Sequence, residues 1–155
     1  QELKPLGIFP SMFPMHTFYW GDWHKQIIGP ELGAGISPMR SILNTGLHAT
    51  SHTDAPVALP NLMQVVWATV NRTSRSGEVI GPDERVTPTE AMKMITIWGA
   101  EQFGEQDSKG SLEPGKLADM VVLSDNPLTI DPAKINTIVV LETIKDGQSV
   151  YRREP

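Results

Sequence analysis

A histidine and an aspartate two residues apart, His52 and Asp54, close a short segment, residues 47–54, that has the length of a buried strand. Side chains alternate along a strand, so His48, Thr50, His52 and Asp54 would share one face. Buried strands are usually runs of Val, Ile and Leu. A polar face at this point therefore predicts that the segment lines a cavity or a functional site.

The spacing of these residues limits the metal sites that they could form. Residues two apart on a strand are separated by about 6.6 Å and residues six apart by about 20 Å. His48 and Asp54 therefore cannot bind one ion, whereas the side chains of His52 and Asp54 can converge on one. A catalytic zinc usually has three protein ligands, so further ligands must come from elsewhere. Asp54 can alternatively form an Asx-turn or cap a helix.

A second group of candidate residues lies upstream, in residues 16–35, which we predict to be a long loop because of the glycines and the lack of a clear period. His16 and His24 match no standard ligand spacing, and each is either a site residue or an ordinary hydrogen-bonded or exposed loop residue. The loop also carries four aromatic residues, Phe18, Tyr19, Trp20 and Trp23. They either pack together as a small core of the loop, or they form a lid that contacts an apolar substrate or another subunit.

The composition excludes several classes of protein. The chain has 155 residues and a net charge of −5, which suits one domain or slightly more. It has no basic patch, so we expect no nucleic-acid partner, and no run of about 20 apolar residues, so we expect no membrane span. The absence of cysteine excludes disulfides and thiolate metal sites. We expect a cytoplasmic location. Because the chain starts at Gln1 without a visible signal peptide, we expect a processed product or a fragment.

The elements that must position these residues follow a strand–helix–strand–helix order. Residues 6–15 read as an irregular extended run containing two prolines. Ser37 and Pro38 predict a helix start, with Ser37 as N-cap, and the polar strand at 47–54 follows. Apolar residues at helical spacing predict a second helix over 62–72.

A third helix has the strongest local signals, and strand and turn signals follow it. Thr87 and Glu90 form a capping box, and the apolar face continues to Trp98, with Gly104 as the C-terminal stop. Beyond residue 105 we predict a small β region. Its strands lie at 118–124, 138–145 and 148–152, and Asp146-Gly147 predicts a type I′ turn.

Several stretches of the sequence resemble the C-terminal part of the amidohydrolase superfamily, in the branch of N-substituted formamide deformylase. They occur in family order and cover most of the chain: FPMHTFYWGDWH, SPMRSILNTG, HTDAPVALP, WATVNRTSRSGEVIGPDERVTPTEAMKMIT, GSLEPGKLADMVVLSDNPL and DGQSVY. The resemblance implies an α/β fold, the C-terminal part of a (β/α)8 barrel with strands seven and eight and their helices, plus part of a small composite β-sandwich. Residues 1–105 would belong to the barrel and residues 106–155 to the sandwich.

The resemblance also implies a chemistry and a site. The reaction would be hydrolysis of a C–N bond in a small amide-like substrate, by a water activated at a divalent metal, zinc in our expectation. Asp54 would be the carboxylate of barrel strand eight, as metal ligand or general base, and His52 a possible second ligand. His16, Trp20 and Trp23 would border the substrate pocket.

The sequence departs from the family pattern at several points. Many relatives have Gly-Ser where this chain has His52-Thr53, and Leu32 occupies the position of an arginine near the lid. The ligands of the earlier barrel strands lie upstream of Gln1, so the metal can be absent from this segment. The alternative is a non-catalytic fragment that binds or oligomerises through exposed barrel edges. Its partner would be a second copy, in a homo-oligomer, or the missing N-terminal barrel part.

Overall fold

A computed structural model of the chain describes residues 2–154. Its first two thirds alternate between short strands and helices, and its last third is mainly β. The elements in chain order are β1 (Ser11–Met12), α1 (Met15–Ile28), α2 (Pro30–Ala34), α3 (Met39–Asn44), β2 (Thr50–Ser51), α4 (Leu62–Asn71), α5 (Pro88–Met94), α6 (Ile97–Gln102), β3 (Met120–Leu123), β4 (Val140–Lys145) and β5 (Gln148–Arg152). Two 3-10 helices lie at Pro82–Glu84 and Pro132–Thr137.

The strands form two separate sheets of different type. β1 and β2 pair in parallel, with Ser11 opposite Thr50, and three helices connect them, as a parallel pair requires a crossover. β3, β4 and β5 form an antiparallel sheet in that order. Asp146 and Gly147 have φ angles of 49° and 75°, as the predicted type I′ turn requires. The helix-connected parallel pair and the antiparallel sheet together confirm the α/β class.

The main core lies around α4 and α5. The N-cap of α4 is Asn61, whose side chain accepts a hydrogen bond from the backbone of Gln64, and the helix buries an almost continuous apolar face. Two residues from the last third of the chain, Ile135 and Ile138, enter the same core. Its buried members are Met39, Met63, Val66, Val70, Val86, Ala91, Met94, Trp98, Ile135 and Ile138.

Residues 16–35 are helical, so the predicted long loop is wrong. Gly21 lies within α1 and does not interrupt it. A Cβ at this position would lie 2.6 Å from Cγ1 of Ile80. The glycine allows the close approach of α1 to Ile80, which is fully buried. The helix ends only at Gly29, with a φ of 88°. Tertiary packing thus overrides the weak helical period of this segment.

The predicted start of the next helix is also wrong in detail. α3 begins at Met39 with Pro38 at the N-cap position, and no side chain caps it. Ser37 adopts a φ of 48°, and its hydroxyl donates to the backbone carbonyl of Phe13 at 2.9 Å. Ser37 therefore contacts the end of the β1 segment instead of the helix terminus.

Two further elements differ from the predictions in their length. The strand predicted over 47–54 is reduced to β2, because the chain turns at Asp54, which has a φ of 52°. The third helix starts with the predicted capping box of Thr87 and Glu90. It breaks at Thr96 into α5 and α6, and Gly104, with a φ of 70°, follows its end.

The remaining helix and strand predictions are confirmed within a few residues. α4 matches the predicted helix over 62–72, and β3, β4 and β5 match the three predicted strands. None of the helices within residues 2–154 has the length and apolar character needed to cross a bilayer.

Candidate active site

Asp54 and the α1 residues lie beyond the same end of the parallel strand pair. His52 and Asp54 follow the carboxyl end of β2, and Phe13 and His16 follow the carboxyl end of β1. The backbone N–H of His52 donates to the carbonyl of Met12 at 3.0 Å, which extends the pairing to the start of the site. Parallel pairing therefore brings together residues that are about forty positions apart in the sequence.

The rings of His52 and His16 both contact Phe13. The His52 ring stacks on Phe13 with a centroid distance of 5.4 Å and an interplanar angle of 19°. The His16 ring meets the same Phe13 ring edge-on, with a centroid distance of 4.6 Å and an interplanar angle of 70°. Phe13 itself is buried, so it forms a fixed support between the two histidines.

The aromatic contacts continue from His16 along α1. His16 packs edge-to-face against Trp20 at 5.6 Å and against His24 at 5.7 Å, and His24 contacts Trp23 at 5.3 Å. These four side chains line a surface cavity of about 550 Å³. The cavity is wide open to solvent, so it could hold one face of a small molecule against the aromatic rings but would not enclose it.

The electrostatics of this site are dominated by neighbouring histidines. The packing around His16 lowers its pKa, nearby His24 lowers it further, Asp54 opposes this effect, and His52 adds a smaller decrease. Because burial and like charge disfavour the imidazolium, His16 is held as a neutral ring at neutral pH.

The helix that carries this pocket is anchored on its opposite side. The carboxylate of Asp22 accepts hydrogen bonds from the hydroxyls of Ser74 and Ser76, at 2.7 and 2.8 Å. These hydrogen bonds lower the pKa of Asp22, and the bond from Ser74 has the largest effect. Lys25 forms an ion pair with Glu78 in the same region. The 74–78 turn therefore fixes the rotation of α1, and with it the direction of the pocket residues.

His48 does not belong to this site. Its ring stacks on Trp98 at 4.5 Å, and its Nδ1 lies 2.6 Å from a carboxylate oxygen of Glu101. The hydroxyl of Thr50 donates to the side-chain oxygen of Gln102 at 3.2 Å. Both side chains thus contact α6, and the single polar face expected over residues 48–54 is divided between two environments.

Within residues 2–154, no group of three or more His, Cys, Asp or Glu side chains could hold a metal ion. The candidate ligands His52 and Asp54 therefore do not fit a complete metal site on their own. Asp54 is exposed and His52 is partly buried. Both remain able to contribute to a site that takes its other ligands from outside the chain.

Sequence reasoning missed two of the residues that build the pocket. Phe13 carried no polar signal, and its support of His52 and His16 depends on the pairing of β1 with β2. His24 was identified only as an isolated histidine. The signal that was available is the helical spacing of His16, Trp20 and Trp23, at i, i+4 and i+7, once the segment is taken as a helix.

Comparisons with known proteins identify the family of the chain. The model of the amidohydrolase family (Amidohydro_3) matches residues 1–151, and the chain therefore belongs to this family. It is 31% identical over 154 residues to N-substituted formamide deformylase of Arthrobacter pascens, covering 99% of this chain and 28% of that relative.

Solved structures share the fold. An uncharacterized metal-dependent hydrolase from Pyrococcus horikoshii OT3 has a TM-score of 0.67 at 24% identity, over 83% of this chain and 26% of that one. Guanine deaminase from Bradyrhizobium japonicum has a TM-score of 0.65 at 16% identity, over 99% of this chain and 39% of that one. The chain thus spans well under half the length of these proteins.

Proposed function

We propose that this chain is the C-terminal part of a metal-dependent amidohydrolase that hydrolyses a C–N bond in a small amide-like substrate. One observation carries the proposal: Asp54 and the aromatic pocket of α1 both follow the carboxyl ends of two parallel strands. In (β/α)8 barrels the active site lies at this end of the strands. β1 and β2 would be barrel strands seven and eight.

Asp54 would act as the general base of the reaction. Its carboxylate takes a proton from the water that attacks the carbonyl carbon, so that a C–O bond forms. It then gives the proton to the leaving nitrogen as the C–N bond breaks. The exposed position of Asp54 in a turn, clear of the core, leaves the carboxylate accessible to water and substrate.

The α1 pocket would bind the apolar part of the substrate. His16, Trp20 and Trp23 are the binding residues, and His24 adds a fourth wall. A neutral His16 ring suits an uncharged group, since its depressed pKa removes the charge that would have to be desolvated.

A divalent metal, expected to be zinc, belongs to this proposal only for the longer protein. Asp54, and His52 as a second ligand, would contribute from this chain, and the other ligands would come from residues outside it. The name of the Pyrococcus horikoshii relative, a metal-dependent hydrolase, supports a metal in this family. A cytoplasmic location stays a prediction.

The division into a barrel part, residues 1–105, and a sandwich part, residues 106–155, is likewise a proposal. The antiparallel sheet supports it, because β3, β4 and β5 pair only with one another among the described strands. The 3-10 helix that precedes β4 nevertheless packs on α4, where the Trp67 indole donates to the carbonyl of Ala133 at 3.0 Å. The two parts would therefore share one core.

The test is the substitution Asp54→Asn in the longer protein that contains this chain. Loss of a general base should lower kcat by about 10²- to 10⁴-fold on an N-substituted formamide or a related amide. Asp107→Asn, at another exposed aspartate, is the matched control and should leave kcat unchanged. If Asp54→Asn retains activity close to that of the control, the role proposed for Asp54 is wrong.

The second candidate is a non-catalytic fragment that binds or oligomerises. The antiparallel sheet supports this alternative, because it exposes apolar side chains, namely Val121, Val122, Val150 and Tyr151, and exposed sheets and edges recruit partners. Metal analysis and light scattering on the longer protein that contains this chain separate the two functions. A stoichiometric metal whose content falls in Asp54→Asn favours the hydrolase. A longer protein that is metal-free, inactive and of defined oligomeric state favours the binding or oligomerising alternative.

A further inference from the structure

Arg72 is a fully buried arginine whose partners are backbone carbonyls. Its side chain is 0% exposed, and it ends α4 with a φ of 53°. Within residues 2–154 it forms no salt bridge. Burial lowers its pKa to about 10, so the guanidinium remains charged at neutral pH. A buried charge of this kind must be satisfied by hydrogen bonds.

Three of the four acceptors of Arg72 lie at the end of α2 and in the connection from α2 to α3. Nη1 donates to the carbonyl of Ser37 at 2.8 Å, and Nη2 donates to the carbonyls of Ile36 at 2.6 Å and Ala34 at 3.3 Å. Nε donates to the carbonyl of Ile80 at 2.7 Å. The planar fork of one side chain thus fixes residues 34–37 relative to the end of α4.

The clamped connection contacts the support of the candidate active site. The hydroxyl of Ser37 donates to the carbonyl of Phe13 at 2.9 Å. The Phe13 ring in turn stacks on His52 and meets His16 edge-on. A continuous series of contacts therefore runs from Arg72 through Ser37 and Phe13 to both histidines.

We propose that Arg72 is a positioning residue, which holds Phe13, and through it the rings of His52 and His16, by clamping residues 34–37. Lysine cannot replace it, because an ammonium lacks the rigid fork that reaches several carbonyls at once. Arg72 itself touches none of the reacting groups. The relevance of this role to catalysis rests on the proposed function, whereas the contacts themselves do not.

The test is histidine NMR on the full chain, which contains only four histidines. The ring signals of His16 and His52 are assigned with His16→Gln and His52→Gln and then compared between variants at one fixed pH. Arg72→Lys and Ser37→Ala should both shift the ring signals of His52 and His16, because these rings contact Phe13. Ser37→Ala removes one contact of the series without disturbing the buried charge, so it decides the question if Arg72→Lys does not fold.

A control variant separates positioning from general destabilisation. Ile135→Ala removes a fully buried side chain from the main core, which does not contain Phe13. It should lower stability and leave the His16 and His52 signals unchanged. If Ser37→Ala leaves both signals at their original positions, or if Ile135→Ala shifts them equally, the positioning role is refuted. Because the measurement needs no substrate, a failure of Asp54→Asn to lower the activity of the longer protein would overturn the proposed function without affecting this outcome.

Discussion

The ion pair between Arg40 and Glu90 provides a quantitative test of how α3 is attached to α5. Arg40 binds Glu90 in a bidentate arrangement, with Nη1 2.9 Å from Oε1 and Nη2 2.5 Å from Oε2. The same carboxylate accepts the backbone N–H and the hydroxyl of Thr87, at 2.7 and 2.8 Å. The Arg40 hydrogen bond is the largest cause of a Glu90 pKa lowered from 4.5 to about 2.

The size of the expected effect follows from this pKa. Each pKa unit corresponds to about 1.36 kcal/mol, so the decrease in the Glu90 pKa from 4.5 to about 2 corresponds to roughly 3 kcal/mol of stabilisation. Arg40 and Glu90 keep 29% and 26% of their side-chain surface exposed, so solvent screening reduces this value. We expect Glu90→Gln to lower the free energy of unfolding by about 1.5 kcal/mol at pH 7.

The sign of the pH dependence follows from the lowered pKa. The contribution of Glu90 is complete above the unfolded pKa near 4.5 and is lost as the pH falls towards 2. Urea unfolding, followed by tryptophan fluorescence, measures it in the wild type and in Glu90→Gln. The difference between the two proteins at pH 3 should be less than about half of that at pH 7.

A matched variant controls for the loss of one negative charge. Glu113, whose side chain is 63% exposed, pairs with Lys116, and Glu113→Gln should change the urea midpoint much less than Glu90→Gln at pH 7, because solvent screens an exposed carboxylate. An equal cost of Glu90→Gln at pH 7 and pH 3 would show that the ion pair is not the source of the effect. A destabilisation by Glu90→Gln at pH 7 that only equals that of Glu113→Gln would show the same.

Three further predictions concern other parts of the molecule. Gly81→Ala should destabilise the chain by about 2 kcal/mol or more, because its Cβ would lie 2.0 Å from the Ala34 carbonyl oxygen at a φ of 60°. Gly99→Ala, in the open part of α6, should stabilise by up to about 1 kcal/mol. Urea unfolding of both variants measures these changes, and a Gly81→Ala cost no larger than the effect of Gly99→Ala would contradict the steric argument. The lowered pKa of His16, due mainly to burial and His24, should make stability fall as the pH drops below 6.5. His16→Gln should flatten that dependence between pH 7.5 and 5.5, and an unchanged slope would contradict this assignment.

The exposed sheet has a direct consequence for experiments on the isolated chain. Val121, Val122 and Val150 are 50%, 43% and 62% exposed on β3 and β5, which are the two edge strands of the sheet, and exposed edge strands can recruit partners. Association of the 155-residue chain would therefore not by itself favour the non-catalytic alternative. The non-catalytic alternative is favoured only if the longer protein also lacks metal and activity.

Local sequence signals were sufficient wherever one short segment decides its own conformation. The capping box of Thr87 and Glu90 and the type I′ turn at Asp146-Gly147 are correct because their hydrogen bonds and φ angles involve neighbouring residues. The apolar spacing of α4 was equally informative, since that helix buries most of its surface. The family resemblance rested on such stretches, and the match to the amidohydrolase family over residues 1–151 confirms it.

The tertiary structure decided the elements whose local signals conflict. Gly21 predicts a break in isolation, yet α1 continues through it because the glycine packs on Ile80. Thr50 and His52 suggest a longer strand, yet the chain turns at Asp54. The long-range contacts that fix these conformations could not be read from either segment alone.

The sequence by itself determined the family, the small β region and the choice of Asp54 as the candidate base. Only the tertiary structure brought Phe13, His16, His24 and His52 together, and only it separated His48 from them. The physical reason is that residue type specifies the available chemistry, whereas ring contacts depend on the pairing of β1 with β2 and on the rotation of α1. Both are set by packing between segments that are far apart in the chain.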